Sequence, residues 1–298
     1  MGLLDGRVVI VTGGGRGLGR THCLELARQG AAVVVNDLGV GVRGEPEVTE
    51  SPADAVVREI RESGGTAIAD RTSVTDWGGM AALVARTVAE FGDLHGVVNN
   101  AGFVRDKMLF SMSEEDFDAV VTVHLKGTAA LTRHACAYWR ERAKAGHRVS
   151  GRVVMTTSGA GLFGNPGQAN YGPAKAGIAA LAVTVALEME RYGVTVNAIS
   201  PIAATRMLAT IGRAGEPGAD WDPLDPANAS PVVAWLCSEE SGWLTGAVLR
   251  IEGNTVHRMR GWTVDGSYTA RSGRALSVEE LSVGMRRLYG VAPSGLGG

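Results

Sequence analysis

Residues 7–30 read Arg-Val-Val-Ile-Val-Thr-Gly-Gly-Gly-Arg-Gly-Leu-Gly-Arg-Thr-His-Cys-Leu-Glu-Leu-Ala-Arg-Gln-Gly. This stretch decides the fold. Residues 7–12 form a short, nearly all-apolar, β-branched run, the pattern of a strand covered on both faces. Residues 21–29 carry a helical pattern that Gly30 closes. Between them stand Gly13, Gly15, Arg16, Gly17, Leu18 and Gly19. A strand, a glycine turn and a helix in this order bring bare backbone N–H groups and a helix N-terminus to one point. Such a point favours a pyrophosphate. The spacing is Thr12-Gly13-x-x-x-Gly17-x-Gly19 rather than Gly-x-Gly-x-x-Gly. A plain tight turn is the competing reading, and the flanking strand and helix favour the phosphate loop.

Residues 32–36 read as a second apolar strand, with Asp37 at its end. A carboxylate there accepts hydrogen bonds from both hydroxyls of an adenosine ribose and repels a 2′-phosphate. An Asx turn into Gly39 is the structural alternative. Arg16 pulls the other way, because a guanidinium pairs with a 2′-phosphate; Asp37 is the better placed, so NAD is expected over NADP. Residues 39–51 are a polar loop. Strands follow at 66–70, 94–99, 152–157, 194–199 and 246–251, and helices at 52–63, 77–91 and 230–238. A longer helix starts at the capping box Ser113-Glu114-Glu115-Asp116 and is expected to break near Gly127. The alternation predicts an α/β fold with a doubly wound, Rossmann-like sheet of about seven parallel strands. It also predicts a single domain over residues 1–255 and a C-terminal extension over residues 256–298.

The formal net charge of −2 and the lack of long runs of one sign exclude an electrostatic case for nucleic acid or an acidic membrane surface. The three cysteines, Cys23, Cys136 and Cys237, match neither a disulfide framework nor a zinc pattern. They are expected as buried free thiols. The N-terminus shows no signal-peptide pattern, and no long uninterrupted apolar run suggests a membrane span. A cytoplasmic protein without a metal is expected.

Tyr171-Gly-Pro-Ala-Lys175 opens an apolar helix running to Met189, with Pro173 in its first turn and Gly193 beyond its end. Positions i and i+4 share one helix face. An ammonium beside a phenol lowers the phenol pKa. A phenol so tuned trades a proton with an alcohol or carbonyl oxygen. By itself the pair also fits two surface neighbours.

Four patterns now stand in order: Thr12-Gly13-x-x-x-Gly17-x-Gly19, Asn99-Asn100-Ala101-Gly102, Ser158 thirteen residues before Tyr171, and Tyr171-x-x-x-Lys175. Together they resemble the short-chain dehydrogenase/reductase family over about residues 3 to 255. Val35-Asn36-Asp37-Leu38-Gly39, Val123-His124-Leu125-Lys126-Gly127, residues 164–171 and Ser200-Pro201 look like the (3R)-hydroxyacyl-CoA dehydrogenase unit of type-two multifunctional β-oxidation enzymes. Actinobacterial relatives of that unit act on acyl-CoA and steroid substrates.

The resemblance implies a nicotinamide cofactor, a small-molecule substrate and a homo-oligomer, usually a dimer or tetramer. It implies Tyr171 as acid/base, Lys175 as holder of the nicotinamide ribose, and Ser158 as the group that positions the substrate oxygen. Asn100, Ala101 and Gly102 would lie against the cofactor. Ser73-Val74 stands where an Asp-Val pair often meets the adenine. His124 occupies the place of a familiar fourth catalytic residue, Asn; it either replaces that residue or only packs beside the site. Pro201-Ile202 replaces the common Pro-Gly, and Thr205 falls one residue short of the usual carboxamide contact. The implied activity is hydride transfer between the nicotinamide and a secondary alcohol or ketone, with 3-hydroxyacyl-CoA or hydroxysteroid substrates expected. A biosynthetic ketoreductase and a non-catalytic cofactor-binding protein are the alternatives.

Two apolar faces are candidates for an oligomer contact: Val120, Val121, Leu125, Ala129, Leu131 and Ala135, and Ala176, Ala179, Ala180, Val183 and Leu187. In the extension, Leu281, Met285, Leu288 and Tyr289 share one face and predict a helix over residues 278–289 that needs a packing partner. Residues 253–262, leaving the last strand, are expected along the pocket rim, compensating for a short, irregular stretch at 205–226.

Overall fold

The computed structural model describes residues 2–39, 51–203, 221–270 and 276–289. Thr205 and most of the loop expected at 39–51 lie outside the described residues. The chain divides into two compact units, Met1–Arg258 and Met259–Gly298.

In the first unit strands and helices alternate. They are β1 (Val8–Thr12), α1 (Gly17–Arg28), β2 (Ala32–Asn36), α2 (Pro52–Glu62), β3 (Thr66–Asp70), α3 (Trp77–Phe91) and β4 (Gly96–Asn99). Next come α4 (Glu114–Val121), a π turn (Thr122–Lys126), α5 (Gly127–Lys144), β5 (Gly151–Thr156), α6 (Gly159–Phe163) and α7 (Tyr171–Met189). β6 (Val194–Ile202), α8 (Ser230–Leu236), β7 (Val248–Glu252) and β8 (Thr255–Met259) complete the order.

The sheet order is β3-β2-β1-β4-β5-β6-β7-β8. β1 to β7 pair in parallel. The winding direction reverses between β1 and β4, so their C-terminal ends open a crevice where ligands bind in such sheets. The central parallel strands β2, β1, β4, β5 and β6 are buried along most of their length, as their apolar runs require. Val9 and Val11 enter one core layer with α1, α2 and α8. Ile10, between them, enters the other with α3, α5 and α7. Each such fully buried side chain contributes about 1.5–3 kcal/mol.

The seven parallel strands match the expectation, and an eighth strand, β8, adds to the edge of the sheet. β8 lies where the alternation ends, and four of its five residues are exposed. No buried face marks it in the sequence. Only Gly253-Asn254 separates it from β7, too few residues for a parallel crossover, so it returns as the arm of a hairpin. Gly253, at φ 53°, supplies the left-handed turn residue.

The helix that starts at Ser113 does not break near Gly127. It continues through the π turn, where one wider loop absorbs an extra residue and aims His124 inward. Ser113 caps α4 as its sequence predicts, accepting from Asp116 N. Within the described residues, α7 with the short turn after it is the one helix long and apolar enough to cross a membrane. Its Ile178, Ala182 and Ala186 lie instead in the core against the sheet.

The second unit contains α9 (Val278–Tyr289), the helix expected in the extension. Its packed face differs from the expected one. Leu281 and Leu288 are half-buried, whereas Met285 and Tyr289 are 41% and 60% exposed. The face centres on Gly284, where a Cβ would come within 2.5 Å of the Tyr268 ring. A glycine has no apolar signal, yet its bare backbone is what receives the aromatic ring.

Candidate active site

The crevice is built by backbone approach. Gly13, at φ 62°, has no room for a side chain: a Cβ would lie 2.8 Å from the Ala101 Cα. The Thr12 hydroxyl accepts from the N–H groups of Asn100 and Ala101, both at 3.1 Å. The Asn100 amide donates back to the carbonyls of Thr12 and Gly13. These bonds lock the ends of β1 and β4 together. At the start of α1, Arg16 makes no side-chain cap and the first turn holds no acidic residue. The orphan N–H groups of that turn therefore stay available to an anion. Leu18 packs beneath them on the core.

Asp37 makes the Asx turn of its structural reading and also reaches the glycine loop. One carboxylate oxygen accepts from Gly15 N at 2.9 Å, the other from Gly39 N at 2.8 Å. It thus turns the chain and fixes the glycine loop. Val74 is buried, and a Cβ on Gly127 would lie 2.8 Å from its Cγ2, so the start of α5 rests on it. The Ser73 hydroxyl pairs with that of Thr75 at 2.9 Å. Pro201 lies half-buried near the end of β6. This cradle of glycines, uncapped helix and carboxylate fits a nicotinamide dinucleotide.

Across the crevice, Ser158 follows β5 and caps α6, accepting from Ala160 N. Its hydroxyl lies near enough to the Tyr171 phenol to favour the ionised form. Tyr171 opens α7 and is 9% exposed; Lys175 sits one turn later at 3%. The Lys175 ammonium is 5.5 Å from the Tyr171 ring centre and donates to Thr156 O at 2.6 Å. The Thr157 hydroxyl donates to Lys175 O, pinning this turn of α7 to β5. Burial pulls Lys175 down to about 7. Burial also pushes the Tyr171 phenol up, and the Ser158 hydroxyl opposes that rise. The lowered phenol expected from the Tyr-x-x-x-Lys pattern is therefore not what the protein alone produces, because desolvation outweighs the nearby hydroxyl.

His124 is buried to 1% exposure, with its ring edge-on to Tyr171 at 5.1 Å. Its Nε2 lies 2.7 Å from Phe103 O and 3.2 Å from Phe103 N. The shorter contact places the proton on Nε2, donating to the carbonyl. Nδ1 is buried without a hydrogen-bond partner. Burial first, and the Lys175 charge second, pull this imidazole down to about 3. Gly102 must be glycine here, since a Cβ would overlap the His124 ring.

Three residues of the site escaped the sequence reading as site residues: Thr12, Thr157 and Asn170. Thr12 and Asn170 stood inside quoted patterns, but a hydroxyl or amide that bonds backbone has no spacing of its own to reveal it.

The sequence model of the family described as short chain dehydrogenase matches residues 7–214. A crystal structure of a short-chain dehydrogenase from Mycobacterium avium superposes with a TM-score of 0.88 at 49% identity, covering 99% of this chain and 98% of that one. The hydroxyacyl-CoA dehydrogenase ChsB1 of Mycobacterium tuberculosis is 43% identical over 274 residues, 89% of this chain and 84% of that protein. The peroxisomal multifunctional enzyme type 2 of Drosophila melanogaster is 42% identical over 265 residues, 83% of this chain but only 42% of that longer protein. The chain belongs to the short-chain dehydrogenase/reductase family. It is an oxidoreductase that acts on CH–OH groups with a nicotinamide cofactor.

Proposed function

We propose that this chain is an NAD-dependent dehydrogenase of 3-hydroxyacyl-CoA thioesters, with Ser158, Tyr171 and Lys175 as its catalytic groups. The observation that carries the reading is the buried Tyr171–Lys175 pair, with half-buried Ser158 beside the phenol. The likeness to a hydroxyacyl-CoA dehydrogenase supports the substrate class. The nicotinamide, when bound, supplies the hydride acceptor. Ser158 holds the substrate oxygen, and Tyr171 takes its proton at the phenolic oxygen. Lys175 supplies the neighbouring charge that opposes the desolvation of the phenolate. His124 stays neutral near pH 7, because burial keeps it near 3, and so acts by holding the Phe103 backbone rather than by exchanging protons. Assaying 3-hydroxyacyl-CoAs and hydroxysteroids with NAD, and the matching ketones with NADH, tests the reading. It also separates a dehydrogenase from a biosynthetic ketoreductase. Turnover of neither class would overturn it.

NAD is preferred over NADP by at least about tenfold in kcat/KM, roughly 1.4 kcal/mol. The ground is Asp37, whose carboxylate stands beside Gly15 at the end of β2. Asp37→Ala should narrow the ratio. A parent enzyme that favours NADP would make Arg16 the dominant contact. The free and largely buried cysteines fit a reducing compartment, consistent with a cytoplasmic enzyme.

The chain works as a homo-oligomer built on twofold contacts of α7. Ala176, Ala180, Val183 and Leu187 form an exposed line on that helix, with Leu187 75% exposed. The second candidate face is less available, because Val120, Leu131 and Ala135 are buried in the subunit's own core. Light scattering should show a dimer or tetramer, and Leu187→Glu should shift it toward monomer. A parent that is monomeric at micromolar concentration contradicts the assignment.

A further inference from the structure

Asn170 immediately precedes Tyr171 and is fully buried. Its side-chain oxygen accepts from Tyr171 N at 2.7 Å. Its amide nitrogen donates to Arg105 O and to Asp116 O, each at 3.0 Å. An ordinary N-cap has extended backbone and bonds an N–H two or three residues on. Asn170 instead has helical backbone, φ −92° and ψ −51°, and bonds the very next N–H. A serine, threonine or aspartate would cap as well. Only an amide offers one acceptor and two donors in this arrangement.

The two carbonyls it holds belong to separate segments. Arg105 lies in the connection after β4, two residues from Phe103. Asp116 lies in the first turn of α4, where the Lys107 ammonium at 2.6 Å and the Ser113 hydroxyl at 2.8 Å bind its carboxylate. α4 runs directly into the π turn that carries His124. His124 bonds Phe103 and lies edge-on to Tyr171. The contacts therefore close a ring: Tyr171, Asn170, α4, His124, Phe103, Arg105 and back to Asn170.

We propose that Asn170 is a positioning residue for the oxidoreductase reaction, fixing the Tyr171 phenol in the orientation that proton transfer needs. The proposal rests on Tyr171 being the acid/base group. Its physical basis is that removing the buried amide withdraws three hydrogen bonds at once, from the Tyr171 N–H and from the carbonyls of Arg105 and Asp116. The segments they anchor then relax, and the phenol moves relative to Ser158 and Lys175.

The test uses the full chain with 3-hydroxybutanoyl-CoA and NAD. In Asn170→Ala, kcat should fall about 10- to 100-fold, the scale of a misplaced reacting group. The pH–rate limb of kcat should move upward by about half a unit or more, because a displaced phenol loses stabilisation of its anion. Cofactor Kd, measured by protein fluorescence, should stay within about threefold, since Asn170 touches none of the β1–β4 cradle. Asn170→Ser keeps an acceptor and loses both amide donors; it should change in the same direction and is read alone if the alanine variant does not fold. An unchanged kcat overturns the proposal. So does a slower enzyme whose pH limb has not moved, which would mark a purely structural residue. Tyr171→Phe runs in parallel: if it retains activity, the reading of Tyr171 fails and takes this proposal with it. If it is inactive while the Asn170 variants match the parent, this proposal alone fails.

Discussion

Tyr171→Phe is expected to lower kcat by about 10²- to 10⁴-fold, the range that a positioned acid/base supplies. Cofactor affinity should change by no more than about threefold, since the cradle formed by Thr12, Gly13 and Asn100 is untouched. The substitution removes one oxygen and nothing else. The ring keeps its place against Phe103 and Val120 and its edge-on contact with His124. What disappears is the hydroxyl beside Ser158 that is proposed to exchange the substrate proton. Activity within tenfold of the parent would sink the assignment. Lys175→Ala is the informative companion. It deletes a buried cation that burial has drawn down to about 7 and that donates to Thr156 O. Two roles are lost there, so cofactor affinity and rate should suffer together.

The reason the fold was readable in advance lies in the strands. Val8–Thr12, Ala32–Asn36 and Gly96–Asn99 are covered on both faces, so their apolar runs are unbroken and bounded by turn residues. The glycine loop was readable because its backbone tolerates no Cβ at Gly13. β8 was not readable, because an exposed edge strand carries no buried alternation. The π turn was not either. A turn of Thr-Val-His-Leu-Lys has nothing in its composition that separates π from α. Its effect is large all the same, for it sends His124 under Gly102 and against Tyr171. The direction of the phenol pKa is not legible in the sequence for a related reason. Spacing places Lys175 near Tyr171 but says nothing of how deeply both are buried, and burial dominates both shifts.

Acid should destabilise this protein before its carboxylates are titrated. His22 and His124 are both fully sequestered, and burial pulls each from its ordinary 6.5 to about 3. His22 lies on α1, where Nδ1 meets the Ser230 hydroxyl of α8 at 2.9 Å and Nε2 has no hydrogen-bond partner. Below pH 6.5 the unfolded chain binds a proton at each site, while the folded chain does not until about pH 3. The unfolded state thus holds more protons throughout this window, and stability rises with pH across it. The effect is complete above about pH 7 and is progressively lost as pH falls toward 3. Each histidine contributes up to about 1.4 kcal/mol per pH unit, so the pair removes about 4–5 kcal/mol between pH 6.5 and 4.5. That is a large share of the roughly 5–15 kcal/mol of a typical domain. His95 and His134 are also drawn downward by burial and act in the same direction. Urea midpoints measured in steps from about pH 7.5 to 4.5 should fall steeply below pH 6.5. His22→Asn, which keeps a hydrogen-bonding group toward Ser230 and cannot titrate, should flatten that slope by about one proton. Midpoints that stay level down to pH 5, or a slope unchanged in the variant, would show that His22 takes up its proton while still folded.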